Sequence, residues 1–127
     1  MATSKCARCG TQKQWEGFGN SHCVACRDAL ALSQWLHGLL RELAQLSLWD
    51  AQAAMLTGRE QTKARRTLDG PRRRLEEWLQ LAAKTLESRR IGGPLVPRLR
   101  VAPLVQPRLH EVIDTLKFVI RDVETPR

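Results

Sequence analysis

The chain has 127 residues, with 21 Lys and Arg against 13 Asp and Glu, four Cys and no Tyr. That length holds one domain or two very small ones and excludes a large barrel or a doubly wound nucleotide-binding fold. At 43% hydrophobic the chain is not broadly disordered, no window approaches the ~18 apolar residues of a membrane span, and a net charge of +8 points to polyanions, acidic proteins or a membrane surface.

All four cysteines lie in the first 26 residues, as Cys6-Ala7-Arg8-Cys9 and Cys23-Val24-Ala25-Cys26. No apolar signal segment precedes Cys6. The chain therefore reads as intracellular, cytoplasmic or, in a eukaryotic host, nuclear, with its thiols reduced. Two CxxC pairs at this separation read as one structural zinc site ligated by Cys6, Cys9, Cys23 and Cys26. Each pair makes a tight turn that aims two sulfurs at one point, and two turns complete a tetrahedron. Four protein ligands leave no open position for catalysis. The competing readings are a redox CxxC or four ordinary thiols. His22, beside Cys23, is read as a bystander. Gly10 stands where a knuckle needs a residue tolerant of positive φ. Residues 15–20, with Trp15 and Phe18, fit a short hairpin that packs a ring over the zinc. The sequence turns helical directly after Cys26, so the second ligand pair opens a helix whose free N–H groups and dipole favour thiolates.

The string Lys5-Cys6-x-x-Cys9-Gly10-x-x-Lys13, then Phe18, then Cys23-x-x-Cys26-Arg27, resembles small treble-clef zinc modules of phage and bacterial proteins. It is similar, more loosely, to GATA-type zinc fingers, from which it departs in its shorter spacing and in lacking a basic tail after the last Cys. The resemblance covers residues 5–27 and implies a knuckle, a hairpin and a helix around one zinc. Some relatives of the first kind precede His-Asn-His nuclease domains. With only His22, His37 and His110, scattered along the chain, that chemistry does not carry over.

Residues 28–57 contain no proline and predict a long helix, with Gly58 as its C-cap. Leu32, Leu36, Leu39, Leu43 and Leu46 follow heptad spacing, flanked by Trp35 and Trp49. This stripe reads as packing within the chain, and it also offers the seam of a homodimer. Residues 59–74 form a basic connector. Arg59, Lys63, Arg65, Arg66, Arg72, Arg73 and Arg74 face only Glu60 and Asp69, a net of +5. Asp69-Gly70-Pro71 predicts a turn and a new helix from Pro71 to Arg90. Arg-rich segments suit phosphate, because each guanidinium bridges two oxygens; the plainer reading is a solvated connector. Residues 91–107 carry four prolines and predict no helix, only a linker or a strap across the bundle. Leu109, Val112, Ile113, Leu116, Val119, Ile120 and Val123 predict a final amphipathic helix at 108–123.

The predicted fold is mainly α. A zinc module (1–28) precedes a helical region (29–90), a Pro-rich strap (91–107) and the last helix, in a bundle of three to four helices. No Gly-rich phosphate loop, GxSxG or HExxH is present, and the chain reads as non-enzymatic. The reading it supports first is a zinc-binding, nucleic-acid-binding regulatory or accessory protein. It would grip the phosphates of DNA or RNA through the seven basic residues of 59–74, with Arg8, Lys13 and Arg27 from the zinc module. The second is a zinc-stabilised helical adaptor that binds or inhibits a partner protein, a build found in small viral and phage proteins.

Overall fold

A computed structural model describes residues 3–10, 12–14 and 23–125. Two short antiparallel strands, β1 (Thr3–Lys5) and β2 (Gln12–Gln14), pair with Ser4 opposite Lys13. Then come α1 (Val24–Ala54), α2 (Gly58–Ser88), a 3-10 segment (Gly93–Leu99) and α3 (Arg108–Glu124). The protein is mainly helical, a four-cysteine module leading into a helical bundle.

α1 and α2 have 31 residues each, about 46 Å at 1.5 Å per residue. Residues 55–57 join them, so they run as antiparallel neighbours. Gln61 secures the corner by donating its amide to the carbonyls of Ala53 and Ala54, in the last turn of α1, at 3.4 and 3.5 Å. α1 is the centre of the bundle and packs on both α2 and α3. Leu36, Leu39, Leu43 and Leu46 are fully enclosed and Leu32 nearly so. The heptad leucines are thus used inside this chain, against α2 and α3, and are not a surface seam. Trp35 closes one side by packing on Trp78, ring centroids 6.1 Å apart.

The predicted break at Asp69-Gly70-Pro71 is absent. α2 runs continuously through Pro71, so residues 59–74 are helix and not a connector. A proline inside a helix costs about 3 kcal/mol. Here Leu68 lies on the buried face before it and Leu75, Leu79 and Leu86 after it. Burial of each leucine contributes roughly 1.5–3 kcal/mol, so an unbroken buried stripe outweighs one missing hydrogen bond. The ends of α1 also shift: it starts at Val24, before the expected Asp28, and stops at Ala54, leaving Gly58 to open α2.

The Pro-rich segment is a strap with one 3-10 helix in it, where none was expected; the tighter turn tolerates Pro94 and Pro97. It packs on both α2 and α3 and buries Val96, Leu99 and Leu104. Both backbone polar groups of Leu104 are satisfied by α2. Its N–H donates to Glu76 Oε1 at 3.0 Å, and its carbonyl accepts from Arg72 at 3.1 Å. Gln106 donates to Ser47 Oγ at 3.0 Å, and Arg100 pairs with Glu87, whose carboxyl that guanidinium holds below its ordinary range. At the start of the strap, the Gly92 N–H donates to Asp122 at 2.9 Å. Gly92 has φ +85°, and a Cβ there would stand 2.6 Å from Val96 Cγ2, so the turn admits only glycine. α3 matches its prediction to within one residue. Among the described residues, no helix is long and apolar enough to cross a membrane.

Candidate metal centre and basic helix face

The first CxxC pair sits in the bend between β1 and β2. The Gly10 N–H returns to the Cys6 carbonyl at 3.0 Å, and Gly10 takes φ +75°, the knuckle its position suggested. The second pair opens α1. Cys23 is the N-cap residue, with extended backbone, and Cys26 lies in the first turn. Cys23 makes no side-chain cap; its sulfur is directed to the other thiols. The four Sγ atoms all lie within 4.8 Å of one another, with Cys9 and Cys23 3.9 Å apart. At a metal–sulfur distance of about 2.3 Å, tetrahedral corners stand about 3.8 Å apart. The donor set therefore fits a tetrahedral thiophilic ion, and four ligands close the site. Cys6 and Cys26 are buried, Cys9 and Cys23 half-buried.

The electrostatics of the cluster also call for a cation. Burial pushes the Cys6 thiol up, but backbone hydrogen bonds from Cys9, Cys23 and Arg8, with the Cys26 side chain, bring it down to about 5. At Cys26 the Arg8 guanidinium lowers the pKa, yet burial and the three neighbouring thiols raise it to about 11. Sulfurs this close cannot all ionise on their own. A divalent ion removes that conflict.

Arg8 binds the module to the bundle. It donates to Cys26 Sγ at 3.5 Å and to the Val123 carbonyl at 2.8 Å, placing a cation at the negative end of α3. Its guanidinium is thereby committed inward. Arg27 lies in the first turn of α1, half-buried, and Lys13 in β2. His22 and the hairpin expected at 15–20 lie outside the described residues.

The seven basic residues of 59–74 separate into three sets. Arg59, Lys63, Arg66, Arg73 and Arg74 are exposed. At 100° per residue they fall within an arc of about 100°, opposite Leu68, Leu75 and Leu79. Arg59, Lys63 and Arg66 line one surface depression. Arg65 is exposed on another flank, beside Asp69 and Asp50. Arg72 turns inward, 11% exposed, and bonds Asp50 at 3.3 Å as well as the Leu104 carbonyl. Of the stripe named with the leucines, Trp35 is half-buried and Trp49 is 42% exposed.

Two features escaped the sequence reading. The clasp of Arg8 on Val123 joins positions 115 residues apart, and no local pattern announces such a contact. The clustering of five cations on one face was readable, had the helical period been carried through Pro71. A second basic cleft, with Arg98, Arg100 and Arg108 on its walls, also contains Glu111 and Asp114, which offset its charge. No family model matches this chain, and neither a curated protein nor a solved structure matches it.

Proposed function

We propose that this is a zinc-stabilised helical protein that binds nucleic acid through the exposed basic face of α2. The four clustered thiols would hold one structural zinc in a treble-clef-like module, with Cys6, Cys9, Cys23 and Cys26 as ligands. The observation that carries nucleic-acid binding is the alignment of Arg59, Lys63, Arg66, Arg73 and Arg74 on one solvent-facing helix surface. Their span, 59 to 74, is about 22 Å of helix, long enough to follow several phosphates. Guanidinium groups fork onto phosphate oxygens, and such contacts position a protein without reading sequence. Arg72 and Arg8 are left out of this surface because the fold uses them internally.

Five phosphate contacts released from their counterions set the expected result. Affinity for a labelled oligonucleotide should drop on the order of a hundredfold between about 50 and 200 mM salt. Replacing the five residues with Ala should remove most of the binding and flatten that slope, without loss of helicity. Fluorescence anisotropy measures both. Equal binding by the native and substituted proteins, or no binding by either, refutes the proposal.

A further inference from the structure

Beside the basic face lies an apolar groove at the corner of α1 and α2. Trp49 of α1 and Leu56 of the connection form one wall, Ala64 and Pro71 of α2 the other, and Gln52 and Thr67 supply its polar groups; its volume is about 500 Å³. That is the size of a small-molecule site. Trp49 is 42% and Leu56 37% exposed, so the bundle leaves this indole open to solvent while Trp35 and Trp78 cover each other. The groove adjoins exposed cations, with Glu60 seven residues before Thr67 as an acidic neighbour on the same ridge. Thr67 shares a helix ridge with Lys63 four residues before it and Arg74 seven after it, both exposed cations.

Resting on the nucleic-acid reading above, we infer that the preferred ligand is single-stranded. Its backbone follows the Lys63 and Arg74 ridge, and one unstacked base enters the groove against Trp49. Surfaces that hold single strands combine a cationic track with an aromatic ring, because every base has a π-face to stack. Gln52 can donate to or accept from the edge of the seated base, while the Thr67 hydroxyl, which donates to the Lys63 carbonyl at 3.0 Å, can accept from it. A duplex keeps its bases paired and stacked, so it can use the cations but not the groove. A nonspecific apolar interface would not require cations along one wall; a base-and-phosphate ligand requires both.

The test uses the full chain and three oligonucleotides of one length: single-stranded, duplex, and single-stranded without bases. The single strand should bind about tenfold or more tightly than the abasic strand, and its binding should quench tryptophan emission. Trp49→Ala should remove that advantage and leave duplex and abasic binding unchanged. Trp49→Phe keeps a ring, so it should retain most of the affinity while abolishing the quench, and it checks the result should the Ala variant lose structure. Equal affinity for all three ligands with Trp49→Ala neutral overturns the inference but leaves the basic-face reading standing. Absence of binding to any of them overturns that reading as well. Loss of duplex and single-strand binding together in Trp49→Phe also refutes the groove's role, since stacking would then not be what was removed.

Discussion

Withdrawing the proposed zinc with a chelator should unravel the N-terminal module and leave the bundle folded. Little else holds the module. Its two strands have three residues each, and a two-stranded hairpin is marginal alone in water. Among its described residues only Cys6 and Cys26 are buried apolar side chains. Structural zinc supplies about 10–16 kcal/mol to zinc-finger peptides, as much as a whole domain's usual margin of about 5–15 kcal/mol. The bundle has its own core, from Leu32 through Val123. Hydrogen exchange should therefore show the amides of β1, β2 and the first turn of α1 losing protection, while the middle of α1, α2 and α3 retain it. Cys9→Ser should do the same without a chelator, and acid should release the metal because protons compete for the thiolates. Metal analysis of reduced protein should find one zinc per chain, and iron in its place would reassign the site. A hairpin that stays protected without metal would show that the ion is not structural.

Arg72→Ala should destabilise the fold by about 2–4 kcal/mol, whereas Arg73→Ala should change it by less than about 0.5 kcal/mol. These neighbours look alike in the sequence. Arg72 joins three elements, through Asp50 on α1 and the Leu104 carbonyl on the strap. Removing it leaves a carboxylate 19% exposed and a carbonyl beside a fully enclosed leucine, both without their cation. Arg73 points into solvent. Denaturant unfolding gives both numbers, and a cycle with Asp50→Asn isolates the pair. Nucleic-acid affinity should respond in the opposite order, with Arg73→Ala the more damaging. Equal stability of the two variants would show that Arg72 does not pin the strap.

The parts of the fold legible in advance were those set by local chemistry. The paired CxxC spacing and Gly10 indicated a knuckle because two thiols at that separation can share one ion. The periodic Val, Ile and Leu of α3 fixed a helix to within a residue. Pro71 misled because Asp-Gly-Pro has the chemistry of a turn, and only the buried leucines on either side, packed against another element, decide for the helix. Arg72 and Arg8 looked like surface cations for the same reason. Their partners, Leu104 and Val123, are supplied by chain 32 and 115 residues away. The groove at Trp49 arises only when α2 is folded back on α1, and neither helix alone predicts it.

The cationic ridge of α2 also acts on the protein that carries it. Arg59 and Lys63 stand four residues apart, and Lys63 and Arg66 three, spacings at which like charges repel by roughly 0.2–0.5 kcal/mol per pair. Added salt relieves that repulsion in the free protein and weakens its hold on a polyanion. Melting temperature and binding affinity should therefore move in opposite directions as ionic strength rises, and a bound strand would serve the helix as its counterion.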